Sequence, residues 1–133
     1  MGLSPEITVE VDPKLFTFSY ESQVMRLEPL ITVATEDWKV IAIGERRSEP
    51  GVLTIALFEM NQSLPRDVEK MDLLTAFMRF AIGKLFEKKK LPVLRPKVIF
   101  HGVQCLEHIL CGYHRILLET ATLASGARAV RFD

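Results

Sequence analysis

The stretch Arg95 to Asp133 reads RPKVIFHGVQCLEHILCGYHRILLETATLASGARAVRFD, and its punctuation decides the fold. Lys97 to His101 is a short apolar run opened by Pro96 and closed by Gly102. From about Cys105 to Leu123, the residues Leu106, Ile109, Leu110, Tyr113, Leu117 and Ala121 recur at helical spacing, predicting one long helix with a buried stripe. Ser125-Gly126 stops it, and Ala127 to Phe132 is a second short apolar run. A strand, a helix and a strand in this order form a βαβ unit, which sets two parallel strands in one sheet.

The chain ahead of this unit supplies strands and a second helix. Glu6 to Asp12 alternates, with Ile7, Val9 and Val11 on one face, as a half-buried strand does. Asp12-Pro13-Lys14 is a turn, after which Phe16, Phe18 and Tyr20 share a side, so the two runs predict a β-hairpin. Gln23 to Leu27 extends or bulges the second strand. Leu30 to Thr35, Trp38 to Gly44 and Val52 to Phe58 are further strands, all expected to complete the same sheet. A helix beginning near Arg66 or Asp67 carries Val68, Met71, Leu74, Phe77, Met78, Ile82, Leu85 and Phe86 at spacings of three and four. Pro92 ends it. The predicted class is α/β, one domain over residues 1–133, with a mixed five-stranded sheet, antiparallel early and parallel late, and two main helices.

Composition narrows function by exclusion. Lys plus Arg equals Asp plus Glu at 17 each, so the chain lacks the basic excess of a broad nucleic-acid footprint. The basic group Lys84 and Lys88 to Lys90 sits where a helix dipole favours cations, with no stacking aromatic interleaved. No apolar run approaches the roughly 20 residues of a membrane span. The start, MGLSPEITVEVD, has neither the basic nor the apolar region of a signal peptide. Two cysteines, Cys105 and Cys111, form no disulfide framework, which fits a cytoplasmic protein with reduced thiols.

His101, Cys105, His108, Cys111 and His114 are of metal-ligating types. At three-residue steps on a helix, Cys105 and Cys111 stand about 120° apart, so only neighbouring pairs could share an ion. No metal is expected. Cys105, just past Gly102 and near a helix N-terminus that would lower its pKa, is the nearest approach to a nucleophile. Asp67, Glu69, Asp72 and Glu107 read as first-turn charges that complement helix dipoles.

The order of elements is that of the ribonuclease H-like subdomain opening the actin-family ATPases, and the wording resembles the bacterial MreB rod-shape-determining proteins. Ile7-Thr8-Val9-Glu10-Val11 stands where that family has LSIDLGT. Leu27-Glu28-Pro29-Leu30-Ile31-Thr32-Val33-Ala34 resembles NEPSVVAI, and Val40-Ile41-Ala42-Ile43-Gly44 resembles VAAVG. Glu49-Pro50-Gly51 matches a TPG, Pro96-Lys97-Val98-Ile99 resembles PRVLV, and Gly126-Ala127-Arg128-Ala129-Val130 is close to GAREV. Val68 to Phe86 corresponds to the family's first long helix. The resemblance implies an actin-like lobe in a cytoskeletal or cell-shape setting.

Departures from the family pattern bear on activity. The family's first phosphate loop has Asp-x-Gly-Thr; Glu10, Val11, Asp12 and Pro13 align with it. Asp12 puts a negative charge where phosphate would sit, and Pro13 removes a backbone donor. The second junction, Pro-Val-Gly-Ala-Thr in the family, is Gly102-Val103-Gln104-Cys105-Leu106 here. The link Glu45 to Pro50 is too short for the small helix that the family places there. The expectation is a protein with no catalytic residues and no cofactor, acting through a protein partner or as a homo-oligomer. Trp38, Phe58 and Met60 are the candidate association surface. The alternative is a residual ATP/Mg²⁺ binder or small ATPase using Glu10 and Asp12.

Overall fold

A computed structural model describes residues 5–59, 64–66, 68–87, 95–110 and 112–133. In strand β1 (Glu6–Glu10), Ile7 and Val9 are fully buried while Glu6 and Glu10 are exposed. That is the outcome of strict alternation on a sheet covered on one face. β1 pairs antiparallel with β2 (Phe16–Tyr20), with Val9 opposite Phe18. Gln23–Leu27 is a separate strand, β3, and not an extension or bulge of β2. Tyr20 faces Gln23 across a two-residue turn in which Glu21 takes a φ of 54°. The sequence hides this turn because a glutamate occupies a backbone region that glycine and asparagine normally mark.

The next three strands leave that sheet. β4 (Leu30–Ala34), β5 (Val40–Ile43) and β6 (Val52–Ala56) form their own antiparallel sheet in the order β5-β4-β6. The expectation of one sheet holding every strand is corrected here. Period two identifies a strand, but its partner is set by long-range packing. Trp38 has a φ of 61° and donates its backbone N–H to Ala34 O at 2.8 Å, so it belongs to the turn ahead of β5. The link after β5 is tied down by Thr54, whose hydroxyl meets Thr32 Oγ1 at 2.7 Å and accepts the Arg47 N–H at 3.0 Å.

Helix α1 (Lys70–Phe86) starts a few residues later than the apolar spacing suggests and buries Leu73, Leu74, Phe77, Met78, Ala81, Ile82 and Leu85. Asp72 lies in its first turn and Lys84 in its last, as the dipole favours. Asp67, Lys88 to Lys90 and Pro92 lie outside the described residues. Strand β7 (Lys97–His101) runs parallel to β1 on one side and to β8 (Ala129–Phe132) on the other. The five-stranded sheet is therefore β3-β2-β1-β7-β8, antiparallel early and parallel late, as expected from the βαβ pattern.

The crossover from β7 to β8 is not one helix. It is a 3₁₀ turn (Val103–Leu106), a short helix α2 (Glu107–Leu110) and helix α3 (His114–Ala124). Gly112, at a φ of 85°, breaks the run. Tyr113, expected in the buried stripe, is 67 % exposed because the break rotates α3 away from the phase of α2. One core unites both sheets and both long helices. Phe16 stacks on Phe58 at 5.3 Å and meets Phe77 edge-on at 5.5 Å, so β2, the end of β6 and α1 share one aromatic joint. No described helix is long and apolar enough to cross a membrane.

Candidate functional site

In a sheet with parallel strands, ligands bind beyond the carboxyl ends, where connections diverge. Here that edge is formed by the ends of β1, β7 and β8. Glu10 and His101 are direct neighbours in the parallel register, on the face opposite Val9 and Phe100. Thr8, Glu10, Val11, His101 and Gly102 line an open concavity, and Glu10, Val11, Asp12, Leu15 and Thr17 line a second beside it. The structure thus brings Glu10, Asp12, His101 and Cys105 to one edge.

The loop after β1 is closed on itself. Val11 donates its backbone N–H to His101 O at 2.9 Å. Asp12 accepts twice, its Oδ1 from the Lys14 N–H at 2.9 Å and its carbonyl from the Leu15 N–H at 3.1 Å. Pro13 has no N–H to offer. A phosphate cradle requires backbone N–H groups aimed outward at the anion. In this loop three of them point into the protein's own acceptors.

The β7 end is shaped by Gly102. Its φ is 80°, and a Cβ there would stand 3.2 Å from Val11 O. The same carbonyl accepts a hydrogen bond from Cys105 Sγ at 3.4 Å. The sequence expectation of a helix-lowered Cys105 pKa is reversed: burial pushes the thiol up, and the nearby Asp12 charge adds to it. A 3₁₀ turn of four residues carries too short an array of aligned peptides to outweigh these. The shift favours the protonated thiol, which is the weaker nucleophile.

Asp133 completes the edge, and the sequence reading did not single it out. Its N–H is bonded to Phe100 O at 2.9 Å, and its carboxylate takes two hydrogen bonds from Arg131, both at 3.0 Å. The bond from Arg131 holds its carboxyl below the usual range. Its position at the end of β8, parallel to β7, was the available signal. The edge therefore carries Glu10, Asp12 and Asp133, and the Arg131 guanidinium beside Asp133 is already engaged. Among the described residues, no group of three or more His, Cys, Asp or Glu side chains is placed to hold a metal ion. His108 is exposed and His114 buried on a different face, while Cys111 lies outside the described residues.

Of the residues expected to form an association surface, Phe58 belongs to the core. Phe58 is 2 % exposed with its ring stacked in the core, and Trp38 is half-buried against it. Met60 lies outside the described residues.

No family model matches the chain, and no curated protein matches it. Solved structures do. The chain is similar to MreB5 of Spiroplasma citri bound to ADP, with a TM-score of 0.67 and 13% identity over 98% of this chain and 38% of that one. It is also similar to MreB 5 of Spiroplasma citri bound to AMPPNP, with a TM-score of 0.64 and 14% identity over 100% of this chain and 39% of that one. The chain spans about two fifths of the length of these neighbours. At such identity the likeness concerns the fold, and the fold is the ribonuclease H-like α/β lobe of actin-like proteins.

Proposed function

We propose that this chain is a non-catalytic actin-like lobe that works by contact with protein, either a partner or a second copy of itself. The observation that supports it is the loop after β1, where Val11, Lys14 and Leu15 give their N–H groups to internal acceptors and Pro13 has none. The solved neighbours carry ADP or AMPPNP. In this chain a polyphosphate at the corresponding edge would meet Glu10, Asp12 and Asp133, beside a loop whose Val11, Lys14 and Leu15 N–H groups are already engaged. Like charges a few ångströms apart repel by about 1 kcal/mol per pair even in water, and by several when partly desolvated. The same reading gives the lobe a cytoplasmic, cytoskeletal setting and no nucleic-acid partner, in keeping with its zero net charge.

The decisive test is equilibrium titration with a fluorescent ATP analogue, with and without Mg²⁺. The expected result is no saturable binding up to millimolar nucleotide. Micromolar, Mg²⁺-dependent binding that disappears in Asp12→Ala would overturn the reading in favour of a residual nucleotide-binding site.

A further inference from the structure

Where the two sheets meet, the chain leaves a concavity of another character. Its walls are the β1–β2 turn with Pro13 and Lys14, the β3–β4 link with Glu28 and Pro29, the β5–β6 link with Arg46, and Glu59 just past β6. The volume is about 370 Å³, at the lower end of the range for ligand sites. Pro29, Leu30 and Ala56 are buried and, with Pro13, make an apolar floor. Lys14, Glu28, Arg46 and Glu59 are exposed and stand around that floor as two cations and two carboxylates. Backbone bonds fix the walls. Lys14 donates its N–H to Asp12 Oδ1 at 2.9 Å, and Leu30 to Glu28 O at 2.7 Å. Leu57 donates to Pro29 O at 2.9 Å, and Gly44 to Leu30 O at 2.8 Å. A cavity with its walls already in place loses little freedom when it fills.

The charges single this cavity out. The two concavities at the β1 end are lined by Glu10, Asp12 and His101 and by no Lys or Arg. Elsewhere on the surface, neighbouring opposite charges have found each other: Lys39 with Asp37, Lys84 with Glu87, and Arg131 with Asp133. Glu45 and Arg47 pair at 2.8 Å on either side of Arg46 and leave it out. Among the described residues, none of the side chains of Lys14, Glu28, Arg46 and Glu59 makes a hydrogen bond or an ion pair.

This mixed rim selects its occupant. A polyanion would be repelled by Glu28 and Glu59, and a polyamine by Lys14 and Arg46. A ligand with one charge of each sign on an apolar stem satisfies both rim and floor. The methylenes of a lysine or arginine can lie along Pro29, Leu30 and Ala56 while the cation reaches a carboxylate. An acidic side chain next to it then meets Lys14 and Arg46, whose guanidinium can hold a carboxylate by two bonds.

We infer that the cavity between the two sheets binds a peptide segment of a partner protein in which a Lys or Arg adjoins a Glu or Asp. The inference deepens the proposed protein-contact role and rests on it. Exposed ion pairs are individually weak, so a free short peptide binds with a dissociation constant on the order of 1 mM. A whole partner tightens this through contacts outside the cavity.

Amide chemical-shift titration of the isotope-labelled full chain tests it, with the capped peptide acetyl-Ala-Lys-Glu-Ala-amide raised to about 10 mM. Saturable shifts are expected at Lys14, Leu30, Arg46 and Glu59. Peptides with Gln in place of either the Lys or the Glu should bind roughly threefold or more weakly, each having lost one set of pairs. Lys14→Gln combined with Arg46→Gln, at exposed sites that leave the circular-dichroism signal intact, should weaken the Lys-Glu peptide by about the same factor. It should leave the Lys-Gln peptide unchanged, which a merely structural role for the two cations would not do. No saturable shift, shifts confined to the Glu10 and His101 edge, or equal binding of the singly charged peptides would each overturn the inference. Tight, Mg²⁺-dependent nucleotide binding would fell the non-catalytic reading without altering these shifts, so the two failures are told apart.

Discussion

Replacing Gly102 by alanine probes the joint on which the candidate site is built, and Gly112→Ala supplies its control. Both glycines hold nearly the same left-handed backbone, with φ of 80° and 85°. Both substitutions therefore incur the same conformational cost, about 1–2 kcal/mol, less roughly 0.4–1 kcal/mol recovered by restricting the unfolded chain. They differ in surroundings. A Cβ at Gly112 meets nothing within 4 Å, whereas one at Gly102 stands 3.2 Å from Val11 O. That carbonyl cannot move freely. Its residue donates an N–H to His101 O, and it accepts the Cys105 thiol. Pushing it by a few tenths of an ångström lengthens both bonds, for an added cost of about 1 kcal/mol on the scale of a net hydrogen bond. For a domain of this size 1 kcal/mol corresponds to ~3–6 °C in Tm. Thermal unfolding followed by circular dichroism should place Gly102→Ala below Gly112→Ala by that interval, with both below the parent. Equal midpoints, or Gly112→Ala as the less stable, would refute the claim that the β1 and β7 ends are locked through Val11 O.

Three further outcomes follow from the packing and the hydrogen bonds. Phe58→Ala removes the ring stacked on Phe16 and should cost about 3–5 kcal/mol in urea unfolding, the usual range for a buried phenylalanine. A surface role for Phe58 would give less than 1 kcal/mol. Thr122 and Thr32 are both fully buried, but Thr122 Oγ1 has no hydrogen-bond partner while Thr32 Oγ1 meets Thr54 and Glu45 O. Thr122→Val should be neutral or stabilising by up to about 1 kcal/mol, and Thr32→Val destabilising by about 1–3 kcal/mol. Cys105, with its pKa raised by burial and then by Asp12, should react with iodoacetamide near pH 8 more slowly than a free thiol, and Asp12→Asn should recover part of that rate. Because the folded thiol holds its proton more tightly, its contribution to stability is complete below its ordinary value of 9.0 and fades as pH climbs through the raised one. Alkylation slowed further by Asp12→Asn would contradict the geometry.

The parallel core of the fold was readable from Lys97 to Phe132 because each signal there is local. Pro96, Gly102 and Gly126 punctuate two apolar runs and a helical period, and the handedness of the crossover leaves little freedom. What the sequence did not reveal was partnership. Leu30–Ala34 is apolar at nearly every position, and β4 is indeed buried through Val33. Yet nothing local states that its neighbours are β5 and β6 in place of the β2 edge. The Glu21 turn and the Gly112 break were missed for opposite reasons. One uses a residue that rarely adopts a left-handed backbone, so no flag was raised. The other lies inside an apolar period strong enough to read straight through a glycine.

The chemistry of the β1 loop was legible in the sequence, and its arrangement was not. That Asp12 carries a charge and Pro13 lacks a backbone N–H follows from the residues alone. Their actual work, however, depends on where the carbonyls of His101 and Asp12 fall, and only the folded register supplies that. The interaction surface failed in the same way. Large apolar residues in a sequence are candidates for a core and for an interface alike, and Phe58 was assigned to the wrong one of the two. On α3, Ile116 and Leu123 lie outside the stripe that the helical spacing predicts, and both are exposed. Burial then divides the helix into a face the fold needs and a face it does not.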